Sequence, residues 1–245
     1  TKSRTKSRTK SRSKSRRYNK IKGGNKLKVA IFFSGRIKSF EDSLENLKAI
    51  QNKYDTVFFA SLNSETKTEN ITKFCETFNI TEDQLNIEPT KEPTFLHKYP
   101  KKEETKYYPI YSMWYHYYKN YEKIKQYSLK HNIVFDIILN YRADINSNDG
   151  IIELQKPENN EIYIPDGDDW GGINALIAYG NPEIMSIYCN IVNDLEQLCK
   201  DGIIFHPETL LKAYLEKNKI NVKRFKYDII RNNSRLNNNI QFKYK

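Results

Sequence analysis

The sequence predicts an α/β domain built on one mostly parallel sheet flanked by helices, and three observations lead there. From Leu27 onward, strand-length apolar runs alternate with segments of helical period. Two of those runs, Leu27 to Phe33 and Val134 to Asn140, have the continuous apolar character of strands buried on both faces. No period of 20 to 50 residues recurs in the body, which argues against a solenoid or propeller.

Taken in order, Leu27 to Phe33 is the first strand, and Ser34-Gly35 turns it into a helix from about Ser39 to Asn52. There Phe40, Leu44, Leu47 and Ile50 fall on one face. Thr56 to Ala60 reads as a second strand, Thr68 to Phe78 as a second helix and Gln84 to Ile87 as a short third strand. A Pro-broken, Lys-rich loop follows to about Lys106. Tyr111 to Lys130 reads as a long helix whose stripe of Met113, Trp114, Tyr117, Tyr118, Tyr121 and Ile124 suits either the core or a stacking platform. Val134 to Asn140 leads into Tyr141-Arg142-Ala143-Asp144. Glu161 to Ile164 ends at Pro165 and a loop rich in acid and glycine, Asp166 to Gly172. Ile173 to Tyr179 returns as a strand, and Asn181-Pro182 caps a helix to about Lys200. His206-Pro207-Glu208 opens a last helix to Lys217, followed by Asn221 to Arg224 and Tyr227 to Arg231.

The 245 residues suit one domain of about 200 residues plus an appendage. The formal net charge of +11 is uneven: residues 1–28 carry 13 basic residues and no acidic one, leaving 28 basic against 30 acidic residues beyond. The basic character therefore belongs to a tail, residues 1–26, and not to the domain, residues 27–245. Thr1 to Arg16 is four copies of a Thr/Ser-Lys-Ser-Arg tetrad, too polar to offset its chain entropy by burial, so a disordered tail is expected. It is either a solvated linker or targeting tag, or a weak, salt-sensitive nucleic-acid or anionic-surface contact through residues 1–22. With 38% apolar and 13% aromatic residues, the chain as a whole is neither collagenous nor wholly disordered. No apolar run approaches the ~20 residues of a membrane helix, so no transmembrane segment is expected, and no apolar signal core follows the first residues. Cys75, Cys189 and Cys199 are too few and too scattered for a disulfide framework or a Cys-based zinc site, which makes a reducing compartment the default.

Ligands of open α/β sheets sit beyond the carboxyl ends of the strands, so the polar residues just after each strand carry the information. These are Ser34, Gly35 and Arg36, then Arg142 and Asp144, then Asp166, Asp168 and Asp169. Outside the tail there are 23 Lys and only 5 Arg, so an arginine at a strand exit is not explained by composition. Arg36 suits a phosphate or an ordinary ion pair. Asp144, with Asn146, Asn148 and Asp149 behind it, suits a divalent cation beside phosphates, or a turn in which it pairs with Arg142. The Asp166 to Asp169 loop suits a base or metal ligand, or a solvated turn. His206 is a third metal ligand or a polar residue near a helix cap. No Walker loop, GxGxxG, HExxH or Ser-elbow is present. If the strand exits form one site, Ser34, Arg36, Asp144 and the Asp166 to Asp169 loop must converge at one sheet edge.

Taken together, the pieces resemble a known family. An early strand ends in Ser-Gly; a helix holds Tyr-Ser-Met-Trp-Tyr; then come Phe-Asp-Ile-Ile-Leu-Asn-Tyr-Arg-Ala-Asp-Ile, Ile-Tyr-Ile-Pro, a Gly-Gly-x-Asn segment before Ala-Tyr-Gly, and His-Pro-Glu-Thr-Leu-Leu. From about Leu27 to Arg231 this order resembles glycosyltransferases of GT-A-like (Rossmann-like) fold, common in large DNA viruses and also seen in some microbes. The resemblance implies a viral protein of the cytoplasm (the host cytoplasm or viral factory) that moves a sugar from a nucleotide-sugar donor to an unidentified glycan or protein acceptor. It implies donor contacts at Ser34, Gly35, Arg36, Arg142 and Asn174, and Mn²⁺ or Mg²⁺ at Asp144 and His206. Arg142-x-Asp144 would stand where many GT-A enzymes carry Asp-x-Asp, with arginine replacing the first acid. Relatives often have Asn-Asp where this chain has Asn174-Ala175. The catalytic base is therefore expected from Asp168, Asp169 or Glu208, or the chain is a degenerate member without turnover. The alternative from another class is a nucleic-acid or anionic-surface binder working through the tail.

Overall fold

The computed structural model describes residues 26–35, 37, 39–103, 106–147 and 151–231. Residues 1–25 of the tail, Arg36, Asn148 and Asp149 lie outside the described residues, so the expectations that fall on them stand as sequence readings.

Nine strands and six α-helices follow one another among the described residues: β1 (Lys28–Ser34), α1 (Leu44–Lys53), β2 (Asp55–Asn63), α2 (Thr68–Phe78), β3 (Leu85–Glu88), α3 (Tyr107–His131), β4 (Ile137–Tyr141), β5 (Ile145–Ser147), β6 (Glu161–Pro165), β7 (Ile177–Gly180), α4 (Pro182–Cys189), α5 (Leu195–Lys200), α6 (Pro207–Lys217), β8 (Asn221–Phe225) and β9 (Ile229–Arg231). Seven strands form one sheet in the order β3-β2-β1-β4-β7-β6-β8, in which only β7 runs against the rest. β5 and β9 form a separate antiparallel ribbon. The mostly parallel α/β sheet flanked by helices is thus observed.

The central strands β1 and β4 are buried on both faces, as their unbroken apolar runs require. Ala30, Phe32 and Ile138 pack with α3, α4, α5 and α6 on one face; Val29, Ile31, Phe33, Ile137 and Leu139 pack with α1, α2 and the ribbon on the other. Of the aromatic stripe on α3, Trp114, Tyr117 and Ile124 are buried in the first of these cores, with Met113 and Tyr121 packed against it. Five of the six stripe residues therefore belong to the core, and Tyr118 is half-buried outside it.

Three elements depart from the sequence reading for local reasons. α3 starts at Tyr107, not Tyr111, because Pro109 lies in the first turn, where its missing N–H costs no intrahelical bond. The strand expected over Ile173 to Tyr179 begins only at Ile177, because the Asn174 side chain captures backbone groups that a ladder would use: its amide donates to the Gly167 carbonyl at 3.0 Å and its oxygen accepts from the Leu176 N–H at 2.8 Å. The helix expected to reach Lys200 breaks at Asn190–Asn193, where asparagines bond each other, before α5 resumes.

With six of seven strands parallel, the carboxyl ends of β1, β2, β3, β4, β6 and β8 all open on one edge. β1 and β4 are in register through Phe32 and Asn140, so Ser34 and Arg142, each two residues on, leave the sheet side by side. α3 is ~37 Å long against ~23 Å for β1, and Asn120, near its middle, already binds Ser34. Its first half therefore overhangs this edge.

Candidate active site at the carboxyl edge of the sheet

Arg142 and Asp144 stand at the exit of β4. The guanidinium grips the carboxylate bidentately, Nε to Oδ1 at 2.5 Å and Nη2 to Oδ2 at 2.8 Å, while 38% of the Arg142 side chain stays accessible. Burial alone would weaken the Arg142 charge, but the Asp144 carboxylate outweighs it, helped by the Tyr117 phenol and the Glu208 carboxylate, and the pKa is raised. Glu208 of α6 and Tyr117 of α3 thus lie within electrostatic range of the guanidinium.

Glu208 lies in the first turn of α6, nearly buried, with Oε2 3.0 Å from His206 Nδ1. Burial and then the Lys102 ammonium hold the His206 pKa below its ordinary value, so at pH 7 the ring is neutral and the contact joins two polar atoms, not a charged pair. His206, one of the two expected cation ligands, has its Nδ1 on the Glu208 carboxylate.

The loop after β6 is clamped onto this helix start. Gly172 packs so tightly that a Cβ there would stand 2.0 Å from the Glu208 carbonyl oxygen, and Ile173 N–H donates to that oxygen at 3.0 Å. Asp169 accepts from the Asn174 N–H at 2.9 Å and pairs with both terminal nitrogens of Arg224, at 3.0 and 3.1 Å. Asp169, a candidate base, thus also ties the loop to β8. Asn174, expected on the donor, is fully buried and spends its amide inside the loop. Asp168 sits in the left-handed region at φ 54°, next in chain to Asp169.

At the other end of the site the Ser34 hydroxyl accepts from the Asn120 amide at 2.7 Å, and the same amide donates to the Phe33 carbonyl at 2.8 Å. Gly35 follows at φ 79°, with open space around its α-carbon and its N–H on the Ser61 carbonyl at 3.3 Å. Ser61 in turn meets His116 Nδ1 at 2.8 Å, whose Nε2 meets Thr90 at 2.9 Å. Burial drives the His116 pKa down to about 4, so the ring is a neutral, doubly bonded bridge beneath the edge.

The structure thus brings Ser34, Gly35, Arg142, Asp144, His206, Glu208 and the Asp166 to Asp169 loop to one edge. It adds residues that sequence reading passed over. Lys102, from the Lys-rich loop, donates to the Trp170 carbonyl at 2.6 Å, and nothing in the sequence separates it from its neighbouring lysines. His116 and Asn120, four apart within the apolar stripe of α3, did carry a signal: polar groups on a buried helix face need partners.

Both Asp144 oxygens accept from Arg142, and among the described residues no three His, Cys, Asp or Glu side chains cluster as metal ligands. A hollow of about 510 Å³, lined by Ile71, Thr72, Cys75 and Leu85, lies at the opposite edge, away from these groups. All three cysteines are free thiols. No helix among the described residues is long and apolar enough to cross a membrane. Comparison of the chain with protein-family models and with curated proteins finds no match.

Proposed function

We propose that the chain is a nucleotide-sugar-dependent glycosyltransferase of GT-A-like fold. The observation that carries this reading is that a partly accessible Arg142 side chain and a nearly buried carboxylate, Glu208, stand at the carboxyl edge of the sheet within electrostatic range of each other. Sugar transfer to a hydroxyl needs that pair of charges. The acceptor oxygen forms a bond to the anomeric carbon as the bond to the diphosphate breaks, the diphosphate leaves with the electron pair, and the acceptor proton must go to a base. Arg142 stabilises the departing diphosphate through its charge and its remaining N–H donors. Glu208 takes the proton, its neighbour His206 being neutral. Ser34 and Gly35, on the adjacent strand, bound the donor, and Gly35 leaves room for a close approach. Mn²⁺ or Mg²⁺ would share the Asp144 carboxylate with Arg142, whose guanidinium supplies charge stabilisation either way.

The experiment is a thermal-shift screen of UDP-, GDP- and dTDP-sugars on the parent and on Glu208→Gln, followed by donor hydrolysis or transfer assays. A donor that stabilises both proteins, with turnover reduced about 10²- to 10⁴-fold in the variant, is the expected result. No stabilisation by any donor sinks the reading; stabilisation with full turnover in Glu208→Gln removes Glu208 as the base.

A further inference from the structure

The chain has two tryptophans, and they are placed oppositely. Trp114 is wholly buried in the core, whereas Trp170 is 53% exposed on the loop between β6 and β7. No ring among the described residues packs on Trp170. Its backbone lies at φ 44°, in the left-handed region that a bulky residue adopts only when its surroundings impose it, and Gly167 and Gly171, each at φ 85°, flank it. The surroundings do impose it. Asp169 is held by Arg224, Gly172 is seated on the Glu208 carbonyl, and Lys102 binds the Trp170 carbonyl. A flexible loop would let the indole fold down onto apolar surface; this one holds it out, and such costs concentrate at ligand clamps.

The place of the ring decides what it meets. Across the edge the order is Ser34 on β1, Arg142 on β4, Glu208 above, then the loop from β6. With the diphosphate on Arg142 and the acceptor hydroxyl on Glu208, Trp170 lies on the acceptor's side, away from the donor's nucleoside. The Lys102 ammonium stands at the Trp170 carbonyl, and Asp168 lies two residues back in the chain. A flat apolar face on a loop that also holds the Lys102 ammonium matches a pyranose ring, which presents an apolar C–H face and a rim of hydroxyls.

We infer that Trp170 is the stacking platform for a pyranose ring of the acceptor, which makes the acceptor a glycan. The inference rests on the transferase reading for its orientation, though the platform itself is a feature of the loop.

Because Trp114 is wholly buried, quenching by acrylamide reports on Trp170. The full chain is titrated with methyl hexopyranosides and with N-acetylhexosamine oligosaccharides of one to four units, with and without the stabilising sugar nucleotide. At least one of these sugars is expected to protect the fluorescence from acrylamide saturably. Calorimetry with that sugar should give binding about tenfold weaker in Trp170→Phe and undetectable in Trp170→Gly. The glycine variant relieves the left-handed backbone, so it is expected to melt no lower than the parent and to keep the shift with the sugar nucleotide. Donor stabilisation with no protection by any sugar, or sugar binding unchanged in Trp170→Gly, overturns the inference and leaves the transferase reading standing. Protection by a short peptide and by none of the sugars overturns it as well. Sugar binding that depends on Trp170 with no stabilisation by any sugar nucleotide does the reverse, leaving a glycan-binding site and sinking the transferase.

Discussion

Arg142 donates to both carboxylate oxygens of Asp144 from Nε and Nη2, two residues apart across the turn that ends β4. The fork geometry fixes the guanidinium plane and leaves Nη1 uncommitted to that carboxylate, available to an anion at the sheet edge. An ammonium offers no such plane. Arg142→Lys should keep the charge and the fold but weaken sugar-nucleotide binding about tenfold or more, since hydrogen bonds to charged groups contribute about 1.5–3 kcal/mol each. The donor thermal shift should be the same in Mn²⁺ and in EDTA. A lysine variant with parental affinity, or a shift that needs Mn²⁺, would move the counter-charge from Arg142 to a cation.

Gly172 tests the clamp between the loop and α6. A Cβ there meets Glu208 and Thr209 backbone atoms at 2.0 to 2.5 Å, and backbone at a helix start does not yield as a side-chain tip does. Gly172→Ala should therefore lift the loop, cost about 2 kcal/mol or more and abolish turnover. Gly171→Ala is the control: its φ of 85° strains an alanine, but the nearest atom is the Lys102 ammonium at 3.9 Å, so about 1 kcal/mol is expected. Equal urea midpoints for the two variants would mean that the contact is not rigid.

Residues 1–22 carry a prediction of their own because the excess charge resides in the tail. Deleting them should abolish retention on heparin or DNA at physiological salt, and leave the donor thermal shift within error of the parent. If the truncated chain still binds DNA tightly, the basic contact lies in the body. If truncation removes the donor shift, the tail belongs to the site.

The sheet was legible because its signals are local and repeated. Val29 to Phe33 and Ile137 to Leu139 are apolar without interruption, Asn181-Pro182 and His206-Pro207 mark helix starts, and the register of β1 with β4 then puts Ser34 beside Arg142. The site was only half legible. Strand-exit residues can be named from the alternation of elements, but their partners come from distant chain. Arg224 on β8 ties Asp169 to that strand, and Lys102 and His206 meet across the fold through a single β-bridge, Lys101 with Phe205. No spacing rule connects those positions. Asn174 shows the opposite failure: its side chain competes with the ladder over two to seven residues, a local effect that apolar run length conceals.

His116 makes the fold's response to acid predictable. Its ring is fully buried, with Nδ1 on the Ser61 hydroxyl and Nε2 on the Thr90 hydroxyl, and its pKa is driven down to about 4 by burial and Lys119 against the opposing pull of Glu88. In the unfolded chain the same ring titrates near pH ~6.5. Between these values the unfolded state holds a proton that the folded state refuses, so stability falls as pH drops from about 6.5 to about 4, by about 3 kcal/mol in total, and His116 adds no slope above 6.5. The lowered pKa of His206 acts in the same direction, and Glu88, also lowered, adds its loss only as carboxylates protonate below about pH 4.5. The window from 6.5 to 5 therefore isolates the histidines. Urea midpoints at pH 8, 6 and 5 should decline steeply in the parent. In His116→Gln they should start about 1–2 kcal/mol lower at pH 8, one hydrogen bond being lost, and decline with a shallower slope. Parallel slopes for the two proteins would show that His116 takes up its proton in the folded state, and would require water or a charged group to reach the ring between α3 and β2.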